Sequence, residues 1–292
     1  MNYILLLLPF VLIACAPVAP EVDLSQTSAV IYHEDTRQEV EKNSSVSSLA
    51  QATVTLVEGR LISQNADTTW SLGTRPLEKS YPLCADEKFL KQPVLGFCSG
   101  VLIAPDKILT AGHCVAEKDI CKNTKFIFGW DLERSQHKTL ANSEVFHCKN
   151  ILRQENNRSK GIDYAIIELD RPAKGIQPVS IAKDALNKRG DLVLSLSYPM
   201  GLPLKQDIGK VLENADGSYT LKVEVDTFMG SSGSPLFNGK GELLGILSSG
   251  MEDFLEDDIY RVQSEGGCIN FHRCKNGTCF GERFFKTSNI DL

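Results

Sequence analysis

The sequence has no long run of Lys and Arg, and its 292 residues carry a formal net charge of −6. Proteins that bind nucleic acid usually concentrate basic residues, because phosphate neutralisation dominates their affinity. The sequence also lacks long amphipathic segments of helical periodicity. Its most apolar segment, residues 1–14, is too short to cross a bilayer as a helix. We therefore expect neither a nucleic-acid partner nor an all-helical fold.

The amino terminus has the composition of an export signal. An apolar stretch fills residues 1–14, although it contains no Lys or Arg, and a Pro-rich tract of linker composition occupies residues 16–20. Residues 12–15, Leu-Ile-Ala-Cys, resemble the lipobox at which bacterial lipoproteins are cleaved and lipidated on cysteine. The sequence thus predicts a signal peptide at residues 1–14 and a lipid on Cys15 that anchors an exported protein to the bacterial cell envelope.

The nine cysteines include no C-x-x-C pair. Apart from Cys15, they are Cys84, Cys98, Cys114, Cys121, Cys148, Cys268, Cys274 and Cys279. An even number in an exported chain predicts up to four disulfides, and Cys121 with Cys148 is one candidate pair. The last three cysteines and His272 can also be drawn as a zinc site, but an oxidising compartment favours disulfides. We expect no metal and no organic cofactor.

Three short segments carry reactive side chains in the order His, Asp, Ser. Ser232 lies in a Gly- and Ser-rich turn, residues 226–235, which would expose its hydroxyl and direct backbone N–H groups into one space. Serine is a weak nucleophile, so it needs a base and an acid that orients this base. His113 follows an apolar strand-like run in residues 98–115, and Asp163 begins another such run. Each segment alone is typical of a turn or strand end, but together they predict a catalytic triad.

These segments resemble the motifs of trypsin-like serine peptidases of the chymotrypsin fold. The TAGHC, D-x-A-I/L-x-x-L and G-x-S-G-x-P boxes of this family each occur once, around His113, Asp163 and Ser232. The last box continues as Ser-Gly-Ser-Pro-Leu-Phe-Asn, a form similar to that of the bacterial V8-like branch. Cys98 and Cys114 have the separation of the family's histidine-loop disulfide, so the resemblance implies that they are paired.

The resemblance implies an all-β fold in which two six-stranded Greek-key β-barrels face each other and hold the active site in the cleft between them. Many short strand-like runs separated by turn signals agree with this architecture. The predicted divisions are a signal peptide at residues 1–14, a lipidated or cleaved linker or propeptide at residues 15–29, and a peptidase domain at residues 30–292 with barrels at about 30–170 and 171–292.

The segment that begins Val30-Ile31 resembles the opening of V8-like peptidases, which carry an arginine seven residues after that valine, as Arg37 is here. In that branch a propeptide is removed before this segment. The resemblance therefore implies cleavage between Ala29 and Val30, which would also release the protein from an anchor on Cys15.

The resemblance also assigns roles in peptide-bond hydrolysis. His113 would accept the proton of Ser232 as the hydroxyl attacks the scissile carbonyl, and would then donate it to the leaving amine. Asp163 would hold the imidazole in the required tautomer and stabilise its cation. The N–H groups of Gly230 and Ser232 would bind the oxyanion. We expect protein or peptide substrates, and the sequence does not indicate an oligomeric state.

Two opposed specificities are compatible with the residues near the serine. Asp226 lies six residues before Ser232, where trypsin-like enzymes have the floor of the P1 pocket. An aspartate at this position would attract Arg or Lys. Alternatively, Asp226 hydrogen-bonds within its own turn. The acidic stretch 252–258 would favour the same substrates by steering. Glutamyl endopeptidases of the V8-like branch use a Thr and a His, but only Thr227 matches, because Leu247 replaces the histidine. Strand residues expected to line the pocket are Ser248, Ser249 and Gly250.

Two other functions are weaker alternatives. A catalytically silent binding or adhesion protein of the bacterial envelope could share this fold, but the complete His, Asp and Ser set disfavours it. A non-peptidase serine hydrolase with a nucleophile elbow is disfavoured because its triad follows the order Ser, Asp, His. The polar stretch 154–161, just before Asp163, is predicted to be mobile. The most consistent hypothesis is an exported serine endopeptidase, retained on the cell envelope or secreted after cleavage.

Overall fold

Two closed barrels of antiparallel strands form the core of the protein. This computed structural model describes residue 22 and residues 34–117, 119–183, 187–274 and 279–291. Most strands of the barrels are short runs rich in Val, Ile, Leu and Phe, which suit a half-buried pleated surface. The strands are β1 Gln38–Glu39, β2 Thr53–Glu58, β3 Ile62–Gln64, β4 Thr69–Leu72, β5 Arg75–Pro76, β6 Pro93–Val94, β7 Cys98–Ala104, β8 Lys107–Thr110, β9 Thr124–Phe128, β10 Thr139–Ala141, β11 Val145–Asn157, β12 Ile162–Leu169, β13 Leu192–Ser197, β14 Lys205–Glu213, β15 Thr220–Glu224, β16 Pro235–Phe237, β17 Leu243–Ser249 and β18 Glu282–Lys286. The α-helices are α1 Ser47–Ala52, α2 Ile120–Asn123 and α3 Glu256–Glu265.

Each barrel contains six strands. The first barrel has the order β11-β12-β8-β7-β2-β9, and β9 closes it by pairing with β11. The second has the order β14-β13-β16-β17-β18-β15, and β15 closes it by pairing with β14. The short strand β1 adds to the outside of β14 and so brings the start of the described chain to the second barrel. The predicted all-β fold with two six-stranded barrels is confirmed.

About half of the polar stretch 154–161 is regular strand, which its polar composition does not indicate. Strand β11 continues to Asn157, and its ladder with β12 extends to the pair Asn157 and Ile162. The side chains at this end of β11 are mostly exposed, so they need no apolar alternation. The backbone ladder forms the strand here, and only residues 158–161 make the turn.

Side chains from both barrels pack at the interface between them. Tyr198 precedes the second strand of the second barrel and is fully buried, and its hydroxyl donates to the Thr53 carbonyl of β2 at 3.0 Å. The rings of Tyr164 in β12 and Phe285 in β18 stack with their centroids 5.1 Å apart. These contacts fix the relative position of the two barrels and hence of the cleft between them.

Four disulfides join the eight cysteines of the described residues, and they pair Cys84 with Cys268, Cys98 with Cys114, Cys121 with Cys148, and Cys274 with Cys279. The pair at residues 98 and 114 spans the histidine segment, as the resemblance implies. The alternative zinc site at the last three cysteines is not formed, because their sulfurs are consumed in disulfides and offer no thiolate ligands.

The predicted signal peptide at residues 1–14, the lipid on Cys15 and the cleavage before Val30 all lie outside the described residues. Val22 is described, and it is buried with its N–H donating to the Gly239 carbonyl at 2.9 Å. None of the helices in the described part of the chain is long and apolar enough to span a membrane.

Candidate active site

Two paired strands bring His113 and Asp163 to the same end of the first barrel. In the antiparallel ladder of β8 and β12, Thr110 lies opposite Ala165. Beyond Thr110 the chain enters a 3₁₀ turn, Gly112–Val115, that carries His113. Asp163 precedes Ala165 by two residues on β12, so it reaches the same edge from the opposite direction. Strand register therefore brings the two side chains together.

His113 and Asp163 are joined by two hydrogen bonds. The backbone N–H of His113 donates to Asp163 Oδ1 at 2.9 Å, and the ring Nδ1 lies 2.6 Å from Asp163 Oδ2. The carboxylate is almost fully buried, whereas the imidazole is 24% exposed. Because one oxygen is fixed by the backbone, the other is oriented toward the ring, and Nε2 makes no hydrogen bond within the described residues. This arrangement favours the tautomer with its proton on Nδ1.

The turn that carries Ser232 is stabilised by its own hydrogen bonds. Ser231 N–H donates to the Phe228 carbonyl at 2.8 Å, and Phe228 N–H donates back to Ser231 Oγ at 3.2 Å. Gly230 has a φ of +91°, and a Cβ there would lie 2.8 Å from the Tyr198 carbonyl oxygen. Both the backbone conformation and the available space therefore require glycine. The turn leaves Ser232 partly exposed at the cleft.

Between Phe228 and Ser234, two backbone donors have no acceptor among the described residues: the N–H groups of Gly230 and Ser232. The neighbouring N–H groups are used, since Met229 N donates to Asp253 Oδ2 at 2.9 Å and Gly233 N donates to the Leu247 carbonyl at 2.8 Å. Unpaired donors beside a nucleophile are available to bind an oxyanion.

Sequence reasoning missed Ser99, which joins the first barrel to the nucleophile turn. This residue of β7 is fully buried; its N–H donates to the Ser232 carbonyl at 2.8 Å and its Oγ donates to the Gly230 carbonyl at 2.9 Å. Its Oγ also accepts the Tyr198 N–H at 3.1 Å. A serine inside an otherwise apolar strand was the available signal, because a buried hydroxyl needs partners.

Ser232 lies between two cavities. The larger, of about 700 Å³, contains His113 and Ser232 and is bordered by the disulfide of Cys98 and Cys114, by Phe97 and by Glu58. The smaller, of about 280 Å³, also contains Ser232. Its other lining residues are Thr227, Phe228, Met229, Leu247, Ser249, Gly250, Met251, Glu252 and Asp253. A chain passing over Ser232 could therefore occupy space on both sides of the hydroxyl.

Asp226 does not line the smaller cavity, contrary to the prediction that it forms the floor of a P1 pocket. Its buried Oδ2 accepts hydrogen bonds from the N–H and hydroxyl groups of Thr36, at 3.0 and 3.3 Å. Its own N–H donates to Asp207 Oδ2 at 2.6 Å. Burial, together with the charge of Asp226, raises the pKa of Asp207 well above its usual range. Asp226 is therefore engaged by the segment that precedes β1.

Ser248 is also absent from the cavity, whereas Thr227, Ser249 and Gly250 line it. Side chains alternate along β17, so Leu247 and Ser249 face the cavity and the residue between them points away. A register shift against β18 falls at this position, and Ser248 Oγ donates to the Arg283 carbonyl at 2.9 Å. Ser248 therefore does not line this cavity, and its predicted role in substrate binding stays a prediction.

Arg37 packs against the nucleophile turn from the side of the amino terminus. Its guanidinium is buried, lies 4.0 Å from the centroid of the Phe228 ring, and pairs with Asp35 through bonds of 2.9 and 2.6 Å. Cation–π contact and a bidentate ion pair offset the loss of hydration. Together with Thr36, this residue connects the start of the described chain to the turn that carries Ser232.

The described residues contain one cluster with the composition of a metal site: Cys98, His113 and Cys114. Both sulfurs belong to one disulfide, so they cannot act as thiolate ligands. His113 Nδ1 is occupied by Asp163. The chemistry of this donor set does not fit a metal ion.

A family model described as "Trypsin-like peptidase domain" matches residues 98–246, about half of the chain. The chain belongs to this family. The residues of the trypsin-like peptidase domain that the match spans include His113, Asp163 and Ser232, which the fold brings to one cleft.

Curated relatives of this trypsin-like peptidase domain include bacterial proteases. A probable serine protease of Lysobacter enzymogenes is 25% identical over 201 residues, which cover 60% of this chain and 31% of that protein. A glutamyl endopeptidase of Staphylococcus epidermidis is 25% identical over 173 residues, which cover 56% of this chain and 57% of that enzyme. The chain thus spans less than two thirds of the length of either relative.

Solved structures show the same architecture. A structure of Glu endopeptidase in complex with MPD superposes with a TM-score of 0.50 at 18% sequence identity, and the match covers 76% of this chain and 88% of that one. At this identity the likeness concerns the fold of the trypsin-like peptidase domain, which agrees with the two barrels described above.

Proposed function

We propose that this protein is a serine endopeptidase that hydrolyses peptide bonds through the triad His113, Asp163 and Ser232. The observation that carries the proposal is the doubly hydrogen-bonded pair of His113 and Asp163 beside a cavity that also contains Ser232. Unpaired N–H groups at Gly230 and Ser232 support it, because acyl transfer needs preorganised donors for the oxyanion. Membership of the trypsin-like family supports the same reaction class.

The proposed mechanism follows from the properties of these groups. Because Asp163 holds Nδ1, Nε2 of His113 is the nitrogen that would take the proton from Ser232 Oγ during attack on the carbonyl. The oxyanion would be bound by the two free N–H groups, each worth about 3 kcal/mol in the transition state. His113 would then protonate the leaving amine and later activate the water that hydrolyses the acyl-enzyme. No metal or organic cofactor takes part in this scheme.

The two cavities beside Ser232 suit the two sides of a bound peptide. We propose that the smaller one receives the P1 side chain and that Arg or Lys is preferred there. Its charged lining residues are Glu252 and Asp253, and no Lys, Arg or His of the described residues lines it. An acidic, partly desolvated cavity attracts a cationic side chain and raises its local concentration.

The same charge disfavours the glutamyl alternative. The staphylococcal relative is a glutamyl endopeptidase by name, but Leu247 lines the P1 cavity here and provides no positive charge or hydrogen-bond donor for a glutamate side chain. A P1 carboxylate would be repelled by Glu252 and Asp253.

The triad is tested with the full chain and its Ser232→Ala variant, incubated with a diverse peptide mixture and analysed by mass spectrometry for new termini. Cleavage products should appear with the wild type and disappear with the variant, and a fluorophosphonate reagent should label only the wild type. Ser248→Ala is the matched control, because this serine lies on the same barrel but outside the cavity. Cleavage that survives in Ser232→Ala would overturn the proposal.

We also propose that the protein is exported and acts at the bacterial cell envelope, anchored through a lipid on Cys15 or released by cleavage before Val30. The four disulfides support an oxidising compartment. Intact mass and amino-terminal sequence of the protein recovered from a bacterial host would test both modifications. A mature protein that begins at Met1 and carries no lipid would contradict this location.

A further inference from the structure

A carboxylate that lines no part of the P1 cavity lies directly behind its wall. Glu282, the first residue of β18, accepts a hydrogen bond from Thr227 Oγ1 and another from Met251 N–H at 3.2 Å. A Cβ at Gly250 would lie only 1.9 Å from its Oε2. The wall residues Thr227, Gly250 and Met251 therefore all contact one carboxyl group.

The space behind this wall is lined in part by the same residues as the P1 cavity. A small cavity of about 30 Å³ is lined by Asp226, His272 and Glu282, and it shares five lining residues with the P1 cavity. The shared residues are Thr227, Phe228, Met251, Glu252 and Asp253. A long P1 side chain that fills the front cavity would end at this shared wall, with Glu282 on its far side.

Glu282 has no cationic partner among the described residues. It is 4% exposed, and its hydrogen bonds come from a hydroxyl and a backbone amide. Burial, reinforced by the charges of Asp253 and Asp226, raises its pKa to about 8. A buried carboxylate that is costly to ionise in the free protein gains most from a cation that arrives with a ligand.

The acid expected at this pocket from the resemblance is engaged elsewhere. Asp226 Oδ2 is bound by Thr36, whereas Glu282 reaches the cavity wall from a different strand. The residue lies beyond residues 98–246, which match the family model, so the motif boxes give no sign of it.

We propose that Glu282 is the specificity-determining residue of the P1 cavity and that its carboxylate, held by Thr227 behind Gly250, selects Arg and Lys. This inference rests on the proposed function, since it assigns substrate selection at the same site. Glu282 acts on binding of the side chain and takes no part in proton transfer at Ser232.

The test compares paired substrates that carry Arg or its neutral isostere citrulline at P1. Wild-type protein should prefer Arg, and in Glu282→Gln the Arg-to-citrulline ratio of kcat/KM should fall about thirtyfold or more, as expected for losing one partner of a desolvated charge pair. Asp226→Asn is the matched control and should not lower the ratio, because removing this neighbouring negative charge eases ionisation of Glu282. Labelling by a fluorophosphonate reagent, together with the thermal unfolding midpoint, verifies that Ser232 stays reactive and the variant folded.

Gly250→Ala provides a second variant if Glu282→Gln does not fold. This position is exposed and its φ is not positive, but its new Cβ would displace the Glu282 carboxyl, so the ratio should fall again. An unchanged ratio in the folded variant, or a fall confined to Asp226→Asn or Asp253→Asn, overturns the assignment while leaving the triad intact. Wild-type protein that is neither labelled nor active would overturn the proposed function, and this inference with it.

Discussion

The two sides of the cleft are built in different ways. His113 and Asp163 lie at the ends of neighbouring strands of one barrel, and the β8–β12 ladder fixes both hydrogen bonds between them. The proposed P1 side instead has Asp226, Asp253 and Glu282 around a small cavity, and these residues come from the turn before Ser232, from the segment after β17 and from the start of β18. The proposed reactive pair thus depends on the register of two paired strands, whereas the proposed P1 side depends on side-chain packing between turns and strands.

The two sides also differ in the hydrogen bonds and charges that surround their carboxyl groups. Asp163 is hydrogen-bonded twice by a single residue, His113, which is the general base of the proposed mechanism. On the P1 side, burial raises the pKa of Asp253 to about 6 and that of Glu282 to about 8. Buried acids without a cation reduce folding stability. Such a cluster beside a nucleophile is therefore a candidate for function more than for stability.

The largest expected effect on activity comes from disrupting the pair of His113 and Asp163 alone. Asp163→Asn keeps the shape of the side chain but favours the wrong imidazole tautomer, so kcat should fall by roughly 10⁴-fold. Steady-state kinetics on an Arg substrate and its citrulline isostere would measure it, and the Arg preference should persist.

Asp170→Asn is the matched control for that experiment. Asp170 follows β12 and pairs with Arg171 near the surface, so kcat should stay near the wild-type value. A fall of less than about tenfold in Asp163→Asn would mean that the carboxylate does not orient the base.

The next effect concerns two disulfides near the proposed P1 side of the cleft. The Cys84–Cys268 disulfide closes a separation of 184 residues, whereas Cys274–Cys279 closes only 5. In the chain-entropy relation, replacing each pair by alanine should cost about 5 and about 2 kcal/mol of unfolding free energy, respectively.

Urea unfolding of the two double variants would measure this difference. Removing the longer link should also loosen Phe271, whose ring lies 4.5 Å from that of Phe228 in the nucleophile turn, and so reduce activity. Equal losses in the two variants would show that the longer link does not organise this side of the cleft.

A smaller effect is expected where the two sides meet. Ser99→Ala would leave the Gly230 carbonyl and the Tyr198 N–H without the hydroxyl that now pairs with both, at a cost of about 1–3 kcal/mol in unfolding free energy. Since the Gly230 peptide would also be less firmly held, kcat should fall while KM changes little.

Thermal or urea unfolding, combined with kinetics, would separate these two consequences. Ser248→Ala is the control, because its Oγ donates to one carbonyl at a partly exposed site. If Ser99→Ala lowers stability but leaves kcat unchanged, Ser99 would be structural only.

The sequence could predict the fold, and it indicates the candidate triad, because both depend on local patterns. Short apolar runs with turn signals indicate strands, and the boxes around His113, Asp163 and Ser232 each span a few residues. Their joint placement then follows from strand register. The far end of β11 is not predicted because its exposed polar side chains carry no apolar alternation.

The pocket could not be predicted in the same way. Assigning Asp226 by its spacing from Ser232 neglects Thr36, a contact 190 residues away in the chain. Ser248 was assigned as if every residue of the strand faced the cavity, whereas alternation and a register shift turn it away. Glu282 has no motif, and only the pairing of β18 with β15 and β17 brings it behind Gly250.

The most gradual effect is a dependence of unfolding free energy on pH at the proposed P1 side. Burial, with the charges of Asp253 and Asp226, raises the pKa of Glu282 to about 8 from a usual value of 4.5. Between these values the unfolded chain loses this proton and the folded protein keeps it. Unfolding free energy therefore falls as pH rises through this window, by at most about 1.4 kcal/mol per pH unit for this group.

Urea unfolding of wild type and Glu282→Gln from pH 5 to 9 would isolate this contribution. The pKa values of Asp207 and Asp253 are also raised, so their ionisation lowers the unfolding free energy in the same direction in both proteins. Glu252 and His272 line the small cavity beside Glu282 and are present in both proteins, so the comparison cancels them. The unfolding free energy of the variant, relative to that of the wild type, should consequently increase as pH rises. This increase should stop above about pH 8, where Glu282 is ionised in both the folded and the unfolded wild type. Parallel dependences of unfolding free energy on pH would mean that Glu282 is already ionised in the folded protein. Its negative charge would then be present on the proposed P1 side before substrate binds.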